Sequence, residues 1–229
     1  DLLLDRFDTD ATLSPSDVVV MCADLETYGP LIEAVFDRSS DARRIPFRVA
    51  DRRLRRESPV AEAFLALLAL ADSRVTASAV MDLVSLSPVH ERFGIAADDL
   101  TRLARWVEQA GIRWGIDADH RASHGQPPYD DNTWRFGLER ALLGVAVVDD
   151  GTRMFGGRTP YDAIEGSDTQ LLGRFVDLCE GLFACCRALA APRGLAAWRD
   201  ALGDTLGAML ALTNDTAWEH EQIRRLLDG

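Results

Sequence analysis

From Ser58 to its C-terminus the chain is a succession of apolar-striped segments set between caps and breakers, and that pattern commits most of it to packed helices. Ser58-Pro59 supplies an N-cap and a first-turn proline, with Val60, Phe64, Leu67 and Leu68 forming one apolar face. Thr76 caps the next helix, which carries Val80, Leu83 and Val84 inside until Ser87-Pro88 stops it. Leu100, Leu103, Ala104 and Val107 stripe a third, with Gly111 where a left-handed C′ residue belongs. A further helix runs from Trp134 to Leu143, capped by Asn132 or Thr133 and ended by Gly144. The clearest case opens with a capping box, Ser167-Asp-Thr-Gln170. Leu172, Phe175, Cys179, Leu182, Cys186 and Leu189 then follow at three- and four-residue steps, and Pro192 ends the helix. Leu195, Trp198, Leu202, Leu206 and Met209 stripe the next one, and Thr216-Ala-Trp-Glu219 caps the last. Antiparallel helices would bury these faces against one another.

The N-terminal quarter reads differently. After a short amphipathic helix over Asp1–Asp10, Ser14-Pro-Ser-Asp17 makes a break. Val18-Val-Val-Met-Cys-Ala23 is a continuous β-branched run, the pattern of a strand buried on both faces. A helix from Tyr28 to Phe36 and a second strand, Phe47–Ala50, complete a βαβ unit. The expected fold is therefore mainly α with a small parallel β-sheet. The expected division is an α/β region over 1–75 and a helical region over 76–229.

The 25 basic residues are all arginine, and the formal charge is −12. Without a lysine, the chain cannot hold the phosphate-binding G-x-x-x-x-G-K-[ST] loop. No apolar run approaches the length of a bilayer span. The start, Asp1-Leu-Leu-Leu-Asp-Arg, lacks an initiator methionine and a leader pattern, and reads as the interior of a longer chain. Cys22, Cys179, Cys185 and Cys186 show no C-x-x-C spacing, so reduced, buried thiols are expected.

Charge is densest between Arg43 and Arg56. Arg43, Arg44, Arg48, Arg52, Arg53, Arg55 and Arg56 stand there against Asp51, a local charge of +6. Clustered guanidinium groups can grip phosphates or dock on an acidic partner, and solvation or pairing within the chain competes with both. His120-x-x-x-His124, near Asp117 and Asp119, has metal-ligand residue types, but i,i+4 ligands meet only on a helix. Pro127-Pro128 speak for a solvated loop there, with no metal. His90 and His220 stand alone in polar helical settings and read as surface residues. No nucleophile motif or pair of apolar-set carboxylates stands out. Gly156 and Gly157 read as a turn.

Two segments place arginine beside tryptophan, Gly111-Ile-Arg-Trp-Gly-Ile-Asp117 and Trp134-Arg-Phe-Gly-Leu-Glu-Arg140. Trp106, Trp114 and Trp134 read as packing anchors, with Arg113 and Arg135 stacked on them or bonding loop carbonyls. Together they would lock the helix ends around the 117–133 loop.

These two segments, with Leu13–Cys22, Tyr28–Phe36, Ile45–Arg53 and Ser58–Phe64, resemble the RecC (gamma) subunit family of the RecBCD enzyme, exodeoxyribonuclease V. The resemblance covers the first two thirds; the helices beyond Gly166 look generic. It implies a superfamily 1 helicase-like second lobe over 1–75 with its helical insertion over 76–229, in a subunit without ATPase motifs. It further implies a non-catalytic, DNA-path-lining role in a bacterial cytoplasmic helicase–nuclease that repairs double-strand breaks by recombination. RecB-like and RecD-like subunits would be its partners, and ATP and magnesium would bind those subunits only. Two other readings stay open on the residues: a helical protein–protein interaction module, and a small metal-dependent enzyme using the Asp117–His124 loop.

Overall fold

The computed structural model describes residues 2–10, 12–22, 25–36, 45, 58–147, 154–164, 166 and 168–228. Two compact units divide at Glu57/Ser58, whereas the sequence pattern places the division at 75/76. The difference is the helix Pro59–Ala71, whose buried face packs within the second unit.

In the first unit, α1 spans Leu2–Thr9 and α2 spans Leu25–Phe36, three residues longer at its start than expected. Between them Ser14 and Asp17 cap a 3-10 turn at Pro15–Asp17. No strand is formed at Val18 among the described residues, and Val19, Val20 and Met21 are exposed, Met21 at 94%. A β-branched run favours extended backbone, but a strand also needs a neighbour, and that pairing is non-local. The second expected strand, Phe47–Ala50, lies outside the described residues.

The second unit is helical, with α3 at Pro59–Ala71, α4 at Ala77–Val84, α5 at Ser87–Arg92, α6 at Leu100–Gln109 and α7 at Ala118–Ser123. There follow α8 at Trp134–Ala146, α9 at Asp168–Ala190, α10 at Leu195–Met209 and α11 at Ala217–Asp228. Ser58, Thr76 and Thr133 each accept a hydrogen bond from the amide three residues on, at Ala61 (2.9 Å), Ala79 (3.2 Å) and Phe136 (3.2 Å). Ser87-Pro88, expected to stop a helix, instead opens α5, since proline fits a first turn as well as it breaks an interior. In α6 Ala104 is exposed and Trp106 takes the buried place.

The long helix α9 is the spine. Its six striped residues are all buried, and it packs against α3 and α10. Helix α10 packs on α11, and α11 returns to α3, closing a ring of four helices. Leu195, expected in the core, is 90% exposed at the first turn of α10, while Leu206 and Met209 fill the interior.

A buried carboxylate closes that ring. Glu219 accepts from the Val60 amide at 3.0 Å and from the Ser58 hydroxyl, which itself caps α3. The glutamate of the expected capping box thus serves another helix, where orphan amides and the positive dipole end favour an anion. We expect Glu219→Ala to lower stability by about 1–3 kcal/mol, because it leaves a buried donor unpaired. A urea titration checks this, and a loss below about 0.5 kcal/mol, the level of a surface change, would contradict it. His90 and His220, expected at the surface, are buried. His90 Nδ1 lies 2.9 Å from the Ile95 carbonyl and His220 Nε2 lies 3.0 Å from that of Ala211, so each ties down a loop.

Candidate functional site

Arg43, Arg44, Arg48, Arg52, Arg53, Arg55 and Arg56, the candidate DNA- or partner-binding residues, lie outside the described residues. The tryptophan–arginine segments are fully described and form a backbone clasp. The 111–117 segment runs between two others. Its Arg113 carbonyl accepts from the Ala77 amide (2.8 Å), and its Gly115 amide donates to Arg74 O (3.0 Å). On the other side Arg113 N donates to Asn132 O (2.9 Å), Trp134 N to Gly115 O (2.9 Å) and Arg135 N to Ile116 O (3.0 Å). The starts of α4 and α8 are thereby tied through one short strand-like piece, with a bridge between Thr76 and Trp114.

Trp134 anchors the clasp from inside. It is fully buried, with Phe175 and Phe183 of α9 at ring separations of 6.3 and 6.1 Å. Its indole N–H donates to Val75 O at 2.9 Å. Val75 has a φ of 50°, which crowds a β-branched side chain. Such strain costs about 1–3 kcal/mol and persists only where surrounding bonds dictate it. Here the Val75 carbonyl is held by both the indole and the Gly115 amide (3.3 Å).

The arginines that stack are not the ones adjacent in sequence. Arg113 is exposed, and among the described residues its guanidinium bonds the Ile112 carbonyl at 3.4 Å. Neighbours on extended backbone point to opposite sides, so Arg113 cannot lie over Trp114. Arg74 and Arg121 do, at 5.6 and 4.7 Å from the ring centre. Arg121 is buried and donates to the carbonyls of Tyr129 (3.1 Å) and Trp114 (3.3 Å), so it holds the 125–132 loop against the clasp. Arg135 forms an exposed pair with Glu180 of α9 at 3.3 Å, an interaction of small net worth. Trp106 is buried in α6.

Sequence reasoning missed Arg74, Arg140 and Arg158, whose partners are distant in the chain, and Arg121, whose partners lie seven and eight residues away across a turn. Arg140 donates to Ala110 O (2.7 Å) and Thr159 O (2.9 Å), and Arg158 bonds Asp130 and Glu139 while lying over Phe136. Gly144, expected to end α8, lies inside it. An added Cβ there would fall 1.8 Å from the Tyr161 carbonyl oxygen, so glycine permits the 159–164 segment to lie on the helix.

The Asp117–His124 segment is a helical turn and not a loop. Asp117 caps α7 through the His120 amide at 2.9 Å, and His124 is its C-cap. A cleft of about 640 Å³ opens beside it, lined by Ala71, Asp72, Ile116, α7 residues, Cys186, Arg187 and Ala190. Burial, and next the charge of His124, push the His120 pKa down. The Cys186 thiol is pushed up to about 12 by burial, and burial also raises Cys179 and Cys185, so none of the three is a nucleophile at neutral pH.

What the geometry presents is a braced helical body in which Arg121 and Arg140 are spent on loop carbonyls. The family described as RecBCD enzyme subunit RecC, fourth domain, matches residues 57–229. The chain belongs to the RecC family. The RecC subunit of Mycobacterium tuberculosis is 38% identical over 231 residues, covering 98% of this chain and 21% of that protein. Escherichia coli RecC is 39% identical over 208 residues, covering 91% and 18%, and Haemophilus influenzae RecC is 31% identical over 218, covering 95% and 19%. This chain therefore spans about a fifth of the length of these relatives. The C-terminal helices, generic to the eye, fall inside the matched RecC domain, whose start at residue 57 adjoins the boundary between the two compact units. No helix among the described residues is long and apolar enough to cross a membrane.

Proposed function

We propose that this chain is a non-catalytic part of a RecC subunit that scaffolds an ATP-dependent helicase–nuclease, exodeoxyribonuclease V, and lines its DNA path during recombinational repair of double-strand breaks. The match of residues 57–229 to the RecC fourth domain carries this reading. In it the first unit belongs to a superfamily 1 helicase-like second lobe, and the helical unit is the insertion such lobes carry. The exposed Val19–Met21 run is the strand that lobe would pair, with Phe47–Ala50 and strands elsewhere in the parent subunit as its neighbours. RecB-like and RecD-like subunits and DNA are the partners, in the bacterial cytoplasm. ATP, magnesium and the hydrolase chemistry reside with the other subunits. These 229 residues hold no lysine, so no lysine-bearing phosphate-binding loop lies within them.

Arg43, Arg44, Arg48, Arg52, Arg53, Arg55 and Arg56 would meet the DNA backbone or an acidic partner. The expected result is that the isolated chain neither hydrolyses ATP nor cuts DNA with magnesium, while the parent subunit co-purifies with RecB-like and RecD-like proteins as an active complex. Stoichiometric ATP turnover by the isolated chain would overturn the non-catalytic reading. Failure of the parent subunit to co-purify would overturn the scaffold reading.

A further inference from the structure

We propose that His120 and His124 form a two-ligand site for a divalent transition cation of the Zn²⁺ or Ni²⁺ class, in the cleft between α7, α9 and the C-terminal end of α3. Histidines at i,i+4 meet only on a helix, and α7 supplies one: the two rings stand one turn apart, with centroids 4.6 Å from each other. His124 Nδ1 lies 3.0 Å from the His120 carbonyl, which makes Nδ1 the protonated nitrogen and leaves the Nε2 lone pair for a ligand. His120 Nδ1 is enclosed and out of a cation's reach, so His120 would ligate through Nε2.

The charge of the cleft selects the ligand's sign. Asp72, Asp117 and Asp119 line it against one guanidinium, Arg187, which is already bonded to Asp117. An anion such as phosphate is disfavoured there and a cation is favoured. Imidazole donors then choose among cations, since magnesium and calcium demand oxygen ligands. No three side chains of ligand type converge among the described residues, so the protein supplies two donors and water completes the shell. A bound cation would brace α7 against the clasp that Asp117 adjoins.

Calorimetric titration of the full 229-residue chain carrying Cys22→Ser tests the site, with Zn²⁺, Ni²⁺ and Mg²⁺ as probes. One equivalent of Zn²⁺ or Ni²⁺ should bind and raise the melting temperature, and Mg²⁺ should give no heat. His124→Gln should melt like the parent without metal and bind about ten- to a hundredfold more weakly, the range for damage even to a ligand's supporting bond. His120→Gln should weaken binding likewise. Unchanged affinity in the double His120→Gln/His124→Gln variant would overturn the proposal. So would the absence of Zn²⁺ and Ni²⁺ binding to the parent chain.

Discussion

Trp134→Ala should lower the stability of the helical unit by about 3–5 kcal/mol, the range for emptying a large aromatic site from a core. The indole fills the space between α8 and the rings of Phe175 and Phe183, and its N–H fixes the carbonyl of a residue held at positive φ. Removing it opens a cavity and frees Val75 to leave its strained conformation, which unties the start of α4. Trp134→Phe keeps most of the apolar volume and loses only the hydrogen bond, so its cost should be about 1–2 kcal/mol. Urea titrations of the three proteins separate the two contributions. A loss below about 1 kcal/mol for the alanine variant would mean that Trp134 does not anchor the clasp.

The second large effect is expected at Gly144. Alanine is the better helix former by about 1 kcal/mol, so propensity alone predicts that Gly144→Ala stabilises α8. The backbone of Tyr161 and Asp162 decides otherwise, with atoms at 1.8, 2.2 and 2.7 Å from the added Cβ. Backbone cannot rotate aside as a side-chain tip can. The 159–164 segment must lift off the helix, taking with it the buried Ile164 and the bond from Tyr161 N to Arg140 O at 2.9 Å. A net destabilisation of about 3 kcal/mol, at the upper end for overpacking, is expected. Gly173→Ala in α9 is the control, since a Cβ there meets nothing within 4 Å. It should be neutral or stabilising by up to about 1 kcal/mol. Equal effects at the two glycines would remove the close approach at Tyr161 as the cause.

Features are legible in the amino-acid order where the physics behind them is local. Caps are local, and Ser58, Thr76 and Thr133 perform as their positions require. The stripe of α9 is local to one helix and is buried throughout. Pairing is not local, and so the β-branched run at Val18 promises a strand whose neighbours it cannot specify. The same limit governs charge. Arg113 and Arg135 stand out because they sit beside tryptophans, yet Arg74, from far along the chain, and Arg121, from the next helical turn, are the ones over Trp114. Glu219 reads as the end of its own capping box, and its carboxylate is spent on the Val60 amide of α3, 159 residues away. The His120–His124 turn reads as a loop because two prolines follow it closely, while Asp117 has already capped a helix before them.

In the proposed reading labour is divided along the chain: the tryptophan clasp is architecture, and the arginine segment between Arg43 and Arg56 would meet the DNA backbone or an acidic partner. The direct measurement takes the parent subunit, assembled with its RecB-like and RecD-like partners, and records DNA affinity against salt for two variants. One neutralises Arg52, Arg53, Arg55 and Arg56; the other is Trp114→Ala. The arginine variant is predicted to bind more weakly and to flatten the salt slope by up to about one unit for each phosphate it no longer touches, with its melt unchanged. Trp114→Ala is predicted to lower the melting temperature and to leave both affinity and slope intact. A Trp114→Ala complex that melts normally but binds DNA poorly, beside an arginine variant with an unchanged slope, would contradict this division.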